Sequence, residues 1–232
     1  VAGHPPLAVL VVDLVEAGGE LARARPGRGD DHDGALGGHE LVLAVAGLGD
    51  DRLHVRRVAL RDVVEEHLDA AVLEALAELL GCANNTDAFN PVSPDPSGNG
   101  AAECMKIALS QAGIDPSQID YMNAHGTATK MGDIAETNAI KQVFGSYPVP
   151  VSSTKGITGH MMGAGGITEL IACVRAIETG VIPPNAGLTD PDPECDLHIS
   201  SRCQTNLPIR IAMSNALGFG GQNSCVIVGQ VS

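Results

Sequence analysis

Three side chains that can donate or hold a proton lie in the middle of the chain. His125 and His160 each follow a short apolar run and open a loop rich in glycine and threonine, and Lys155 precedes the second histidine by five residues. Loops at the ends of strands carry many catalytic groups. A neutral imidazole can donate its N–H to an oxygen that gains charge. The trio therefore suits a reaction that develops negative charge on a thioester or carboxylate oxygen.

The residues around the trio support this interpretation. Residues 126–129 form a small, hydroxyl-bearing loop that a ligand can approach closely. His160 is expected to open a helix, whose positive end disfavours the charged ring. Lys155 could pair with a carboxylate, orient His160, or form a surface salt bridge. Glu169 lies nine residues after His160, or about 13 Å along the expected helix, which is too far for direct contact with that ring. We therefore expect Glu169 to be a buried partner of Lys155.

Strand and helix patterns alternate around these loops. Short apolar runs at residues 119–124 and 149–153 predict strands that lead to His125 and Lys155. The predicted helices cover residues 101–113, 134–145 and 160–180, with a capping-box-like start at Asp133 and Glu136. Residues 82–100 and 182–196 are expected to be loops, and residues 209–215 and 224–230 to be strands. The alternation predicts an α/β fold with a layered sheet.

The segment ALGFGGQN joins the last two predicted strands. It is not a dinucleotide-binding fingerprint, because it lacks the required glycine spacing and does not lead from a strand into a helix. Its aromatic residue, Phe219, could be a mobile apolar flap or a core residue.

Composition excludes several classes of function. The chain has 232 residues, 44% of them hydrophobic, and a formal net charge of −14, which argues against nucleic acid or an anionic membrane as a partner. It has no apolar run of about 18 residues and no signal-peptide pattern, so a cytoplasmic protein is expected. The six cysteines have no metal-ligand spacing. We expect reduced, mostly buried thiols rather than disulfides or zinc ligands, and no metal site.

Residues 1–81 differ in composition from residues 82–232. They use only nine residue types, all of which have codons beginning with G or C. A GC-rich coding region read out of frame or on the opposite strand produces this bias, so our hypothesis is that residues 1–81 are not native; a genuine low-complexity segment is the alternative. Within them, residues 40–48 could form a strand, residues 59–81 a helix ending at Gly81, and residues 22–38 a loop.

Five motifs together resemble one family. They are NAHGTAT (123–129), GDIAE (132–136), SSTKGITGHMMGAGGITE (152–169), IPPNAGL (182–188) and SNALGFGGQN (214–223). In order and spacing they resemble the β-ketoacyl-[acyl-carrier-protein] synthases, the type II elongating enzymes in particular. The likeness covers residues 82–232, the C-terminal part of a catalytic domain of nearly twice this chain's length.

The resemblance implies a thiolase-like α/β fold made of two similar halves, of which this is mostly the second. It also implies a decarboxylating Claisen condensation of malonyl-carrier protein with an enzyme-bound acyl group, in fatty-acid or polyketide synthesis. His125 and His160 would hold the malonyl thioester oxygen, and Lys155 would organise His160. Thr127 and Thr129 would hold the phosphopantetheine arm of the acyl carrier protein, and no cofactor would be bound by the chain itself.

The same resemblance implies which residues lie beside the acyl group and which oligomer the intact enzyme forms. Phe219, with Gly220 and Gly221, would form the gate beside the acyl-cysteine, and Glu169 and Asn215 would support the site. The intact enzyme would be a homodimer.

One departure from the family pattern separates the possible functions. The family's nucleophile is a cysteine in an A-C-x-x-G setting at a helix N-terminus, and no cysteine of this chain has that setting. We therefore expect that the chain as it stands does not condense acyl groups. Alternatives are a non-catalytic partner of the chain-length-factor type, a fragment of a modular polyketide synthase and a plain binding module. Retention of both histidines and Lys155 favours a ketoacyl synthase.

Overall fold

A computed structural model describes residues 7–9 and 76–231, the first of these ranges as backbone only. The strands are β1 (Leu7–Val9), β2 (Ala77–Thr86), β3 (Tyr121–Asn123), β4 (Val151–Ser152), β5 (Ile211–Gly218) and β6 (Gln222–Gly229). The helices are α1 (Asn99–Ala112), α2 (Lys130–Phe144), α3 (Lys155–Thr158) and α4 (Gly165–Thr179). Three short 3-10 turns cover Pro116–Gln118, Met162–Ala164 and Phe219–Gly221.

The strands of the described residues form one mixed sheet in the order β1-β2-β6-β5-β3-β4. Strand β3, which lies between β5 and β4, is parallel to both of them. The remaining pairs are antiparallel, and β5 and β6 form a hairpin closed by the Phe219–Gly221 turn. The ends of β3 and β4 therefore lie side by side, and the chain leaves both strands at the same edge of the sheet.

Helices cover both faces of this sheet. On one face, Met122, Met213 and Ile227 pack in one cluster with residues of α1 and α2. On the other face, Tyr121, Ala212 and Val228 pack with α4. Each of these is the sequence neighbour of one of the three residues on the first face. The alternation follows from the strand geometry, in which successive side chains point to opposite faces. Because both faces are buried, these strands read as continuous apolar runs, and the expected layered α/β fold is observed.

The predicted helix ends are confirmed where glycine determined them. Gly113 and Gly180 end α1 and α4 with φ of 66° and 65°, a left-handed conformation that a residue with a Cβ adopts only with strain. The expected loop at residues 182–196 is also observed, since it contains no strand or helix apart from one isolated bridge at Ile182.

The predicted helix over residues 59–81 is wrong in its last part. Residues 77–81 belong to β2, which pairs with β6 from Glu78 to Thr86. The apolar spacing of this short segment fits a helix as well as a buried strand, and the pairing with β6 decides between them. The strand crosses the expected boundary between residues 81 and 82. It also occupies the start of the expected loop 82–100.

Two helix starts differ from prediction. Helix α2 begins at Lys130, with Thr129 as N-cap, so Asp133 and Glu136 lie inside the helix instead of forming a capping box. The predicted helix 160–180 begins only at Gly165, and His160 lies in the loop before it. Glycine-rich sequence does not favour a helix, which explains the late start.

Other expectations fall outside the described residues or concern them only in part. The structure does not describe residues 10–75, so it does not test the predicted strand at 40–48 or the predicted loop at 22–38. Most of the segment with the unusual composition, residues 1–81, lies in the same range. Within the described residues, no helix combines the length and apolar character needed to cross a membrane. Nor do three or more His, Cys, Asp or Glu side chains there converge as a metal site would require.

Candidate active site

The two predicted histidines meet at the edge of the sheet. His125 follows β3 by two residues, and His160 lies between α3 and the Met162–Ala164 turn. Their ring centroids are 5.5 Å apart and the rings are nearly perpendicular, at 86°. His125 is partly buried and His160 is exposed. An arrangement of this kind lets two imidazoles approach one small group from different directions.

The backbone of the His125 loop is held by a buried carboxylate. Glu136 in α2 is 4% exposed and accepts the backbone N–H groups of His125 at 2.8 Å and Gly126 at 2.9 Å. The side-chain amide of Asn215 in β5 donates to the same carboxylate at 2.9 Å. Burial raises the pKa of Glu136, and the three donors oppose that rise. The carboxylate thereby fixes the loop to α2 and to the sheet.

A serine joins the loop of the first histidine to that of the lysine. The Ser153 hydroxyl donates to the His125 carbonyl at 3.3 Å and accepts the Lys155 backbone N–H at 3.3 Å. The Ser153 backbone N–H in turn donates to Asn185 Oδ1 at 2.6 Å. At Gly126 an added Cβ would lie 2.7 Å from the Ser153 Cβ, so glycine is required for this contact.

The His125 ring is kept neutral by its surroundings. Burial, the Lys155 ammonium and His160 together lower the pKa of His125 to about 3. Its Nδ1 is buried and has no hydrogen-bond partner among the described residues. Because orphaned buried N–H groups are rarer than under-satisfied acceptors, this favours a ring that carries its proton on Nε2.

The proton of the His160 ring is placed by a backbone amide. The Met162 N–H donates to His160 Nδ1 at 3.2 Å, so Nδ1 is an acceptor and a neutral ring carries its proton on Nε2. A charged ring would have N–H groups at both positions and could not accept this bond. The N-terminus of a helix was expected next to the His160 ring, but α4 begins five residues later, so that terminus does not place the proton. The amide of Met162 takes its place.

The predicted pairing of Lys155 with Glu169 is observed. The Lys155 ammonium contacts Glu169 Oε1, and the two side chains are 7% and 3% exposed. Burial raises the pKa of Glu169, and Lys155 together with His160 opposes the rise. Because the pair is buried, the surface salt bridge is excluded. The ammonium lies close enough to His125 to help lower the pKa of that ring.

The two predicted threonines lie on the rim of the His125 loop. Thr127 and Thr129 hydroxyls are 3.1 Å apart, and Thr129 is the N-cap residue of α2. At Gly132 an added Cβ would lie 2.4 Å from Thr129 Oγ1, so this side of the loop is closely packed. Both hydroxyls lie within four residues of His125 along the chain.

The glycine-rich turn is placed at the end of the β5–β6 hairpin. Phe219 is 78% exposed, so it is not a core residue in this chain. Gly220 and Gly221 have φ of 81° and 75°. The turn follows Asn215 by four residues, or about 13 Å along an extended strand.

Burial disfavours the thiolate form of five of the six cysteines. All six lie within the described residues, and burial raises the pKa of five of them: Cys82, Cys104, Cys173, Cys195 and Cys225. For Cys104 the pKa rises to about 12. A thiolate is the reactive form, so these thiols are unreactive at neutral pH.

The structure brings together five of the ten predicted site residues in one group and adds four others. His125, His160, Lys155, Glu169 and Asn215 form one connected group. Sequence reasoning missed Glu136, Ser153, Asn185 and Met162. A charged residue on the buried face of α2, next to Ala135 and one helical turn before Ile140, was a signal for Glu136. Residue types alone carried no comparable signal for Ser153, Asn185 or Met162.

Known proteins are similar to this chain in sequence and in fold. Residues 76–189 match the model of the family described as "Beta-ketoacyl synthase, C-terminal domain". The chain is 43% identical over 168 residues to nodulation protein E of Rhizobium sp. (strain N33), covering 72% of this chain and 41% of that protein. It is 42% identical over 173 residues to 3-oxoacyl-[acyl-carrier-protein] synthase 2 of Coxiella burnetii, covering 73% and 42%.

A solved structure gives the same result for the fold. It is a type II polyketide synthase acyl-carrier protein in complex with its ketosynthase bound to the hexaketide. The TM-score is 0.67 at 34% identity, over 69% of this chain and 40% of that one.

The fold is therefore that of the thiolase-like ketosynthases. The matched part of the chain, residues 76–189, belongs to the β-ketoacyl synthase family as its C-terminal domain. The chain spans about two fifths of the length of the relatives named above.

Proposed function

We propose that the described residues form the malonyl-binding side of a decarboxylating β-ketoacyl-[acyl-carrier-protein] synthase. The observation that carries the proposal is the contact of two imidazole rings whose centroids are 5.5 Å apart. Burial keeps the His125 ring neutral, and Nδ1 of His160 accepts a backbone N–H, so each ring can carry a proton on Nε2. Two such N–H groups can donate to one thioester oxygen. A lysine and a glutamate buried behind the rings hold the geometry.

In the proposed step the bond between the malonyl carboxylate carbon and its α-carbon breaks. Carbon dioxide leaves, and the electron pair moves into the thioester as an enolate whose negative charge rests mainly on oxygen. His125 and His160 donate Nε2–H to that oxygen and stabilise the charge as it forms. Neutral rings suit this role because they keep donating without delivering a full proton. The step needs no metal and no oxidant.

The substrate is proposed to arrive as a thioester on an acyl carrier protein. Thr127 and Thr129 would hold the phosphopantetheine arm at the rim of the His125 loop, and their hydroxyls at 3.1 Å offer two adjacent hydrogen-bonding groups. The related ketosynthase, solved in complex with its acyl-carrier protein, supports this partner. Phe219, exposed on the turn with Gly220 and Gly221, would face the acyl chain.

Condensation needs a nucleophile that this chain does not supply. The pKa values of five of its six cysteines are raised by burial, and no cysteine has the A-C-x-x-G setting. The acyl group would therefore be carried by a cysteine outside this sequence. We also propose that the intact enzyme is a homodimer and that it is located in the cytoplasm.

A chain-length-factor-type partner remains the second candidate from sequence, and the site argues against it. Such partners usually lose the histidines. Here both rings, the lysine and its glutamate partner occupy one connected group. A protein without the decarboxylation step would have no use for two oriented N–H donors.

The test is release of labelled carbon dioxide from malonyl-carrier protein labelled in its free carboxyl group. We expect His125→Ala and His160→Ala each to lower the rate by about 100- to 1000-fold, the usual effect of removing one donor to a developing oxyanion. His198→Ala is the matched control, because His198 is exposed and its ring forms a hydrogen bond with the Pro148 carbonyl, away from the two site histidines along the chain. Unchanged rates in both site variants would refute the proposal.

A second assay addresses the nucleophile. The chain is incubated with acyl-carrier protein and analysed by intact-protein mass spectrometry. No stoichiometric acyl adduct is expected. A covalent acyl-enzyme on any of the six cysteines would contradict this part of the proposal.

A further inference from the structure

Three polar side chains are fully buried on the α4 face of the sheet, just before the chain enters the His125 and Lys155 loops. They are Tyr121 and Asn123 in β3 and Ser152 in β4. The Tyr121 hydroxyl lies 2.9 Å from the Ser152 hydroxyl, and the Asn123 side-chain amide donates to the Tyr121 oxygen at 3.2 Å. The three groups form a chain of hydrogen bonds that links the two strands.

The direction of the bond between the two hydroxyls follows from the groups around Tyr121. Its oxygen already accepts the Asn123 N–H, and a phenol has one proton of its own to donate. Burial raises the pKa of Tyr121, and the nearby Cys173 and Glu169 add to the rise, so the phenol keeps that proton. Ser152 Oγ, at 2.9 Å, is an acceptor within reach. The bond therefore runs from the phenol in β3 to the serine in β4.

The backbone ladder between β3 and β4 is short. Two residue pairs define it, Met122 with Val151 and Asn123 with Ser152. His125 follows the ladder by two residues and Lys155 by three, so this ladder sets how far apart the two loops start. Side-chain pairs across neighbouring strands add to the stability of a sheet, and in so short a ladder one such bond is a large part of the restraint.

The same bond lies close to the buried ion pair. Tyr121 packs with α4, the helix that carries Glu169, and the Glu169 charge is near enough to affect the phenol. Glu169 is in turn the partner of Lys155. A shift of β4 along or away from β3 would therefore move Lys155 relative to the His125 ring, while Glu169 stays with α4.

We propose that Tyr121 is a positioning residue: its hydroxyl, through Ser152, fixes the spacing between the His125 loop and the Lys155 loop. The consequence for decarboxylation rests on the proposed function above. The positioning itself does not, because it concerns the geometry of the free protein. Tyr121 is fully buried, so it acts through the ends of β3 and β4 and not on the substrate.

The positioning is tested in the free protein by native-state hydrogen exchange. The Ala124 N–H donates to the Ser152 carbonyl at 2.9 Å, so its exchange reports opening between β3 and β4. Tyr121→Phe removes only the phenol oxygen. We expect exchange of the Ala124 amide to become about fivefold faster relative to the amides of the β5–β6 hairpin, because one hydrogen bond no longer opposes the opening. Global destabilisation alone would speed both groups of amides equally.

A second variant removes the other partner of the same bond. Ser152→Ala keeps the phenol and its Asn123 donor, so it is the milder change. It is expected to speed exchange of the Ala124 amide by a similar factor. The double variant should show no larger increase than either single variant, because all three lack the same bond.

A second tyrosine provides the matched control. The Tyr147 hydroxyl donates to the Ile119 carbonyl at 3.4 Å, and its ring packs with the cluster on the opposite face of the sheet. Tyr147→Phe is therefore expected to leave the relative exchange of the Ala124 amide unchanged. If neither Tyr121→Phe nor Ser152→Ala speeds this exchange, or if Tyr147→Phe speeds it equally, the positioning role is overturned.

The carbon dioxide assay tests the consequence for catalysis. Tyr121→Phe alters the spacing of the loops and removes no group that would contact the substrate, so we expect kcat to fall about tenfold and KM to stay within about twofold. Faster exchange with an unchanged kcat would retain the positioning role and overturn its consequence for decarboxylation. If the wild type itself releases no carbon dioxide, the proposed function fails and the exchange result still decides the positioning role.

Discussion

The two histidine loops reach the same point by different means. The His125 loop is held from within: its backbone is bound by the buried carboxylate of Glu136 and its ring is desolvated beside Lys155. The His160 loop is glycine-rich and exposed, and its ring is placed by one backbone amide. One ring is fixed by burial and the other by a single hydrogen bond.

Because of this difference, substitutions in the two loops are expected to affect different properties. Those in the His125 loop should change folding stability, and those in the His160 loop should change the orientation of the ring. Changes beneath the His125 loop are expected to cost folding free energy, because they strand buried polar groups. Changes in the His160 loop are expected to leave folding nearly intact and to alter only the ring. The Lys155–Glu169 pair lies beneath both loops, and its loss should therefore have the largest effect.

Removing the buried ammonium is the largest expected perturbation. Lys155→Met leaves the Glu169 carboxylate buried without its partner, and we expect a loss of about 3–5 kcal/mol in the free energy of unfolding. Urea denaturation followed by circular dichroism measures it. Lys106→Met, on the exposed face of α1, is the control and is expected to change stability by less than about 0.5 kcal/mol.

The double variant sharpens this prediction. Lys155→Met combined with Glu169→Leu replaces both charges by apolar groups, so most of the loss is expected to be recovered. A double variant as unstable as Lys155→Met alone would show that the ion pair is not the cause.

The next largest effect is expected at Glu136. Glu136→Gln replaces one of two acceptor oxygens with a donor, so at least one of the amides of His125, Gly126 and Asn215 loses its partner. We expect a loss of about 1–3 kcal/mol, the cost of one unsatisfied buried group. Thermal denaturation measures it, and Glu103→Gln on the exposed side of α1 is the matched control. Equal melting temperatures for the two variants would contradict the anchoring role.

An effect that is small near neutral pH and grows as the pH falls is expected from His125. The folded-state pKa is about 3, below the ordinary value of 6.5, so the unfolded chain binds the proton that the folded chain does not. Stability from this ring is therefore complete above pH 6.5 and decreases as the pH falls toward 3. The slope is about 1.4 kcal/mol per pH unit in the middle of that window.

The measurement is urea denaturation at pH 7, 6, 5 and 4 for the wild type and for His125→Gln. The wild type should lose stability faster with acid than the variant. Parallel pH profiles would mean that the ring titrates normally in the folded chain.

The smallest effect is expected at the exposed ring. His160→Ala should change the free energy of unfolding by less than about 0.5 kcal/mol, because a surface group with one hydrogen bond contributes little. The same denaturation experiment as for His125 measures it. A loss comparable to that of Glu136→Gln would show that the two loops do not differ in the way described.

Sequence predicted the parts of the site that local patterns encode. Apolar runs marked the strands that lead to His125 and Lys155, and glycines marked the ends of α1 and α4. The Lys155–Glu169 contact was expected because Glu169 lay too far along the predicted helix to reach His160, although that helix begins only at Gly165. The sequence could not predict partners that are distant along the chain. Glu136, for example, accepts a hydrogen bond from the side-chain amide of Asn215, 79 residues later. The left-handed φ of Met162 was also hidden, because methionine carries no turn preference.

The strand at residues 77–81 illustrates the same limit. Its few apolar residues suit a helix or a strand, and only the ladder with β6 distinguishes them. The segment also shows that the composition boundary at residue 81 and the start of the family match at residue 76 need not coincide.

The most direct test of the central claim is a ring-nitrogen spectrum of ¹⁵N-histidine-labelled protein titrated with a non-hydrolysable malonyl-pantetheine analogue. If both rings donate to one thioester oxygen, the Nε2–H signals of His125 and His160 will move together with one apparent affinity, and His198 will stay in place. A response from only one of the two rings, or from neither, would contradict the account.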